Sequence, residues 1–155
     1  MPDGSRYDED FFLWTRNQAE RLRAAGSARS NLELDWENLA EEIESMGNSD
    51  RRELRSRLGV IIHHLLKLRY SSAIEPTDGW RDTIRRERSD VRLILEDSPS
   101  LRPKIDEFAV NMFARSAESA AAALAAFYES IPVAVHDMTI NQDIIAGVMT
   151  TEYFP

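Results

Sequence analysis

Four side chains of this sequence have the types and the spacing of one polar cluster: Glu42, His64, Lys67 and Arg88. A carboxylate, an imidazole, an ammonium and a guanidinium in one cleft shift one another's pKa values, and they can bind a small ligand or transfer protons. His64 and Lys67 are three residues apart, which puts both on one edge of a helix. We therefore predict that these four side chains meet between helices. Secondary candidates are Glu41, Glu44 and Arg57.

The two adjacent histidines lie in the apolar stretch RLGVIIHHLLKLRY, residues 57–70. On a helical wheel of about 100° per residue, His63 points away from the apolar stripe. We expect it to be solvated and outside the cluster. His64 lies on the flank of the stripe. The simplest interpretation of His64 is a half-buried, structural side chain that is hydrogen-bonded to a neighbouring helix.

The histidines lack the spacing of a metal site or of a catalytic triad. A dinuclear carboxylate site needs Glu-x-x-His, but Val60 and Ile61 stand three residues before His63 and His64. There is no H-E-x-x-H motif, no cysteine, no serine in a nucleophile setting and no glycine-rich phosphate loop. We expect neither a metal nor a cofactor.

One enzymatic pattern stays open as an alternative. Arg57 and His64 are seven residues apart and share a helix face, a pair that resembles the Arg and His of the helical HEPN ribonucleases. The net charge of -8 and the pI near 4.9 argue against a broad basic surface for nucleic acid. We therefore expect no nucleic-acid partner.

The chain of 155 residues is about the length of one domain. We expect a disordered N-terminus over residues 1–6 and one helical domain over residues 7–155. The absence of cysteine, of a signal peptide and of any apolar run near the roughly 20 residues of a membrane span indicates a cytoplasmic protein without a membrane partner.

Apolar residues recur at three- and four-residue steps almost throughout, which predicts an all-α bundle of four to five main helices with a short helical tail. Glycine at position 47 is the predicted end of the second helix, and Asp50 opens the third. Trp36 and Trp80 each begin an apolar stripe and should be largely buried. The predicted helices cover about residues 8–25, 35–46, 50–68, 80–96 and 103–130, with a short one after Thr139.

Charge separates two of these helices. Residues 33–53 carry eight acidic side chains and two arginines, whereas GWRDTIRRERSDVR, residues 79–92, carries five arginines. Such faces are commonly just solvated, with little energetic value. A sharper hypothesis is that acidic residues of the second helix meet Arg88 and the edge that carries His64 and Lys67.

Six segments in this order resemble a bacterial family called domain of unknown function 29. The segments are YDEDFFLWTRNQAERLRA, LDWENLAEEIESMG, HLLK, GWRDTIRRER, DSPSLRP and TINQDIIAGVMTTEYFP. The resemblance spans Tyr7 to Pro155 and implies a compact α-helical protein in a family without an assigned activity. The family pattern falls on Glu41, Glu42, Glu44, His64, Lys67, Trp80 and Arg88.

Two classes of function follow from these observations. The first is a non-enzymatic helical module that binds a protein partner or a second copy of itself, since helical bundles offer grooves and faces to other helices. The alternative is an enzyme or small-ligand binder that uses the polar cluster. The two differ in whether the cluster side chains reach an open site or saturate one another.

Overall fold

The computed structural model describes residues 7–28, 32–71, 76–127 and 142–150. Within these ranges every regular element is a helix and there is no strand, which confirms the all-α prediction. None of the described helices is long and apolar enough to cross a membrane. The elements are α1 (Phe11–Ser27), α2 (Trp36–Tyr70), α3 (Thr77–Asp97), a 3₁₀ helix (Pro99–Lys104), α4 (Ile105–Phe127) and α5 (Gln142–Gly147).

Helix α2 is one continuous helix of 35 residues, so the predicted end at Gly47 and the new start at Asp50 are wrong. Gly47 serves a different purpose, because a Cβ atom there would overlap Thr15 Oγ1 and lie 3.4 Å from a ring carbon of Phe12. This glycine therefore lets α1 approach α2 closely. The glycine does mark a special position of the helix, but a glycine that ends a helix and one that admits a neighbouring backbone cannot be distinguished in the sequence.

The other helix boundaries agree with prediction to within a few residues. Helix α3 begins at Thr77, earlier than expected, and Pro99 opens the 3₁₀ helix directly after Ser98. Pro103 stays in that 3₁₀ turn, and α4 begins only at Ile105. Helix α5 confirms the short helix expected after Thr139. Residues 1–6, for which disorder was expected, and most of the remaining tail lie outside the described residues.

The chain groups into two compact units. Unit 1 is Met1–Leu54 with Leu93–Pro103, and unit 2 is Arg55–Arg92 with Lys104–Pro155. The expectation of one domain over residues 7–155 stays a prediction.

Unit 1 packs small residues between α1 and the first half of α2. Ala19 and Ala40 have no exposed surface, and a Cβ on Gly26 would come within 2.7 Å of Trp36 Cβ. Trp36 is only half-buried, so the prediction that it is largely buried is wrong, and Leu39 and Met46 are exposed. The inward face of α2 here is centred on Ala40 and Gly47, and Leu39 and Met46 lie to one side of it.

Unit 2 holds most of the large buried side chains. In the second half of α2 they are Leu58, Ile61, Ile62, Leu65 and Leu66; α3 adds Trp80, Ile84 and Val91, and α4 adds Phe108, Phe113 and Leu124. Gly59 lies close to α4, where Ser116 Oγ donates a 3.0 Å hydrogen bond to its carbonyl. Ala117, Ala120 and Ala121 are buried, as expected of an alanine-rich helix that admits a close neighbour.

Candidate functional site

Three of the four predicted cluster residues belong to unit 2. His64 and Lys67 lie one helical turn apart on the second half of α2, and Arg88 lies in the middle of α3. Glu42 lies on the exposed surface of unit 1. The meeting of Glu42 with the other three therefore stays a prediction.

Lys67 is buried, with only 9% of its surface exposed. Its Nζ atom lies 4.3 Å from the ring centroid of Trp80, within the range of a cation–π interaction. Burial lowers the pKa of the ammonium below its usual range. Among the residues that the structure describes, no carboxylate is within ion-pair distance of this Nζ. Trp80 thus supplies the attraction that an acidic partner would otherwise provide.

His64 is half-buried, as predicted, but it bonds to its own helix. Its Nδ1 donates a 2.9 Å hydrogen bond to the Val60 carbonyl oxygen, four residues earlier. A carbonyl only accepts, so in the neutral ring the proton is on Nδ1 and the lone pair is on Nε2. Burial lowers the pKa of His64, the Val60 bond opposes this shift, and the charge of Lys67 lowers the pKa further.

His63 is half-buried, so the prediction that it is solvated is wrong. Its ring centroid lies 4.9 Å from that of His64 in an edge-to-face arrangement. Burial lowers its pKa to about 4, and the charges of His64 and Lys67 contribute. The helical wheel failed because the buried surface of α2 is wider here than one stripe and extends round the helix to Leu66 and Lys67, which are both buried.

Arg88 is 1% exposed, and its guanidinium donates hydrogen bonds to backbone carbonyls at the end of α5. Its Nε donates to the Val148 carbonyl at 2.8 Å, and its Nη2 donates to the Gly147 carbonyl at 2.7 Å. Both carbonyls lie at the C-terminal end of α5, where the negative end of the helix dipole favours a cation; the Gly147 carbonyl also accepts from Thr150 N at 3.1 Å. Burial, with the nearby charge of Arg92, lowers the pKa of Arg88 to about 10. Sequence reasoning missed this role because the acceptors are backbone atoms.

The secondary candidates have partners of their own. Arg57 Nη1 lies 3.0 Å from Glu87 and 2.6 Å from Asp90, both on α3. Its guanidinium is therefore neutralised, which weakens the ribonuclease interpretation of the Arg57 and His64 pair. In unit 1, Arg23 binds Glu44 at 2.9 Å.

Glu41, like Glu42, is exposed. In the described part of the chain no group of three or more histidine and acidic side chains could hold a metal ion.

Unit 1 contains a second polar cluster, which sequence reasoning did not identify. We call it the acceptor cluster; its members are Asp10, Asp50, Ser98 and Ser100. Asp10 caps α1 by accepting from Leu13 N at 2.8 Å, and it also accepts from Ser100 N at 2.6 Å and Ser100 Oγ at 2.9 Å. Ser98 Oγ accepts from Phe12 N at 3.2 Å and donates to Asp50 at 2.9 Å. The segment DSPS thereby fastens the start of α1.

Comparisons with known proteins agree with the fold and assign no chemistry. The profile of the family described as "Domain of unknown function DUF29" matches residues 6–143. A crystal structure of an alpha-helical protein of unknown function from Rhodospirillum rubrum is 26% identical, with a TM-score of 0.71 over 94% of this chain and 97% of that one. A search of curated proteins finds no significant match.

Proposed function

Because the chain belongs to the DUF29 family, whose description assigns no activity, we propose a function from its surface: it is a helical module that binds a protein partner through unit 1. The observation that carries this proposal is a group of exposed apolar side chains around the start of α2. We call Leu32, Leu34, Leu39 and Met46 the interaction face.

The members of the interaction face are unusually exposed for large apolar side chains. The exposed fractions are 63% for Leu32, 49% for Leu34, 41% for Leu39 and 50% for Met46. Leu39 and Met46 are seven residues apart, which places them on the same side of α2. Among the described residues of unit 2, Val110 is the sole large apolar side chain with comparable exposure. Apolar groups concentrated in one region are typical of an interaction site, whereas single ones are not.

The charges around the interaction face indicate the chemistry of its partner. Exposed acidic side chains are interspersed with its leucines: Glu33, Asp35, Glu37, Glu41 and Glu42. An apolar surface with an acidic border suits an amphipathic helix that carries lysine or arginine beside its apolar stripe. The occupant that we propose is therefore a basic amphipathic segment of another protein.

A photo-crosslinking amino acid at position 39 or 46 tests this proposal in cells of the organism that produces the protein. The same amino acid in place of the exposed Glu118 of α4 is the control. We expect positions 39 and 46 to crosslink to one segment with positive net charge and helical apolar periodicity, and position 118 to give a different and weaker set. Identical sets from the three positions, or crosslinked peptides with acidic character, would contradict the proposal.

Substitution of the exposed leucine separates binding from folding. Leu39→Glu should weaken binding of the identified segment by about tenfold or more, because it removes apolar contact and adds a like charge to the border. Its melting temperature should stay close to that of the parent. Val110→Glu on α4 is the matched control and should bind normally. Crosslinking to α3 of a second copy would instead identify the partner as the protein itself, and sedimentation analysis would then show a dimer.

The cellular compartment is part of the same proposal. The absence of cysteine fits a reducing compartment, and the similar solved protein comes from a bacterium. We accordingly propose that the interaction takes place in the bacterial cytoplasm.

A further inference from the structure

Lys67 is a buried cation whose ammonium can still be reached from solvent. Within the described ranges, Arg55 Nε is the one side-chain polar atom that is both fully enclosed and without a hydrogen-bond partner. Lys67 Nζ also has no hydrogen-bond partner there, so it must retain some exposed surface. The side chain as a whole is more than nine-tenths buried. The Trp80 ring offsets part of the cost of burying this ammonium, but no carboxylate of the described residues pairs with it, so part of the desolvation cost remains. An anion arriving from solvent would remove that cost.

The two histidines add hydrogen-bonding capacity beside this ammonium. His63 and His64 lie four and three residues before Lys67 on α2, which makes both of them neighbours of Lys67 on the helix surface. His64 keeps Nε2 free of its Val60 bond, and the His63 ring lies against the His64 ring. Protonated imidazoles would donate to an oxygen acceptor, as the ammonium does.

Helix α3 contributes charges of both signs near His64. Arg86 and Glu87 both act on the pKa of His64, in opposite directions. The carboxylate of Glu87 is engaged by Arg57 at 3.0 Å and lies 3.7 Å from Arg86 Nε. Glu87 is therefore already paired with arginines, which reduces the negative charge that it presents to His64.

We infer that Lys67, His63 and His64, which we call the cation cluster, bind a small oxyanion, either a carboxylate or a phosphate group, against the wall formed by Trp80. The Trp80 ring holds the ammonium in place from one side and leaves its remaining N–H groups to donate to the anion. The anion binds more tightly when the imidazoles are protonated. This site lies in unit 2 and does not depend on the interaction face of unit 1.

The chain offers clean probes for this inference because it has two lysines and three histidines. The parent protein, labelled with ¹³C in lysine and histidine, is titrated with inorganic phosphate, with acetate and with chloride at matched ionic strength. We expect phosphate, acetate or both to shift the Lys67 side-chain signal saturably and to raise the pKa of His63 and His64 by about one unit. Phosphate alone would define a phosphoryl ligand, and acetate alone a carboxylate ligand.

Substitutions at the two lysines supply the matched comparison. Lys67→Met keeps the apolar stem against Trp80 and should weaken anion binding at least about tenfold, while Lys67→Arg should retain most of it. Lys104→Met removes the other lysine, which is exposed and pairs with Glu107 at 3.1 Å, and should bind like the parent. Circular dichroism checks that each variant is folded.

Three results would overturn the inference. The first is the absence of a saturable shift at Lys67 with both oxyanions, and the second is an equal response to chloride. The third is unchanged binding by a folded Lys67→Met protein. The first two need no variant, so the inference is tested even if that substitution prevents folding.

Discussion

The two units bury polar groups of opposite kinds. In unit 1 the acceptor cluster joins two carboxylates to serine hydroxyls and backbone N–H groups, so each acid has donors. In unit 2 the buried polar groups include two cations, Lys67 and Arg88. Arg88 is held by two carbonyl oxygens of α5, whereas Lys67 rests on an aromatic ring. Buried groups whose hydrogen bonds are satisfied hold the chain in place, whereas a buried ammonium without an acceptor remains able to bind one.

The largest expected effect comes from the aromatic wall of unit 2. Trp80→Ala should lower the free energy of unfolding by roughly 3–5 kcal/mol, because it empties a buried site and leaves Lys67 without its aromatic partner. Trp36→Ala in unit 1 should cost only about 1–2 kcal/mol, since its side chain is half-exposed. Urea denaturation of both variants provides the measurement. Equal losses would mean that unit 1 depends on its tryptophan as much as unit 2 does.

A smaller loss is expected when the acceptor cluster is broken. Asp10→Ala removes the N-cap of α1 and leaves the Ser100 N–H and hydroxyl without their acceptor, which should cost about 2–3 kcal/mol. The exposed neighbour provides a control: Asp8→Ala should change the stability by less than about 0.5 kcal/mol. Thermal melts that coincide for the two variants would show that the acceptor cluster contributes little.

The difference between the clusters also explains what the sequence could and could not reveal. Periodicity located the helices and the edge of α2 that carries His64 and Lys67, because both depend on spacing within one helix. The acceptor cluster joins Asp10 to Ser100 and Asp50 to Ser98 across 90 and 48 residues. No local pattern encodes such pairs.

Two errors have a similar physical origin. Gly47 was predicted to end a helix because glycine is common after the last turn of a helix. Here the glycine instead allows a neighbouring helix to approach closely, and the sequence does not distinguish the two cases. His63 was predicted to be solvated because a narrow apolar stripe was assumed, whereas burial extends farther round α2, to Leu66 and Lys67. Both depend on which element packs against α2, and that is a property of the tertiary fold.

Acid should distinguish the cation cluster from the rest of the protein. The unfolded chain protonates His63 near pH 6.5, whereas the folded protein resists protonation down to about pH 4. The stability contributed by neutral His63 is therefore complete above pH 6.5 and is lost as the pH falls toward 4. The loss should be roughly 1–2 kcal/mol, less than the full shift implies because part of the ring is exposed.

The measurement for this prediction is the free energy of unfolding at closely spaced pH values between 7 and 4. His63→Gln should flatten the curve in that range, and His64→Gln should flatten it less completely, because the Val60 bond partly offsets the lowering of the His64 pKa. Parallel curves of unfolding free energy against pH for the parent and His63→Gln would show that His63 titrates normally. The proposed difference between the two units would then no longer include the pH dependence.

The smallest predicted effect has the opposite sign and lies within the acceptor cluster. Burial raises the pKa of Asp50, as do the charges of Glu53 and Asp97, while the bond from Ser98 lowers it. The folded protein therefore binds a proton at Asp50 more tightly than the unfolded chain does, so the ionised carboxylate costs stability once the pH rises above 3.8 and through the folded value. Asp50→Asn removes this charge and keeps an oxygen to accept from Ser98. It should stabilise the protein by about 0.5 kcal/mol at pH 7.

The same substitution at Asp10 should destabilise the protein. Both carboxylate oxygens of Asp10 accept hydrogen bonds, so an amide would turn an NH₂ group toward one of the donors and lose about 1–2 kcal/mol. Guanidinium chloride denaturation of Asp10→Asn and Asp50→Asn at pH 7 compares them directly. Changes of opposite sign in the free energy of unfolding would show that the Asp10 carboxylate stabilises the fold through its hydrogen bonds. They would also show that the negative charge of Asp50 destabilises it despite the bond from Ser98. Losses of the same sign and size would mean that both acids act alike, and the strain assigned to Asp50 would have to be abandoned.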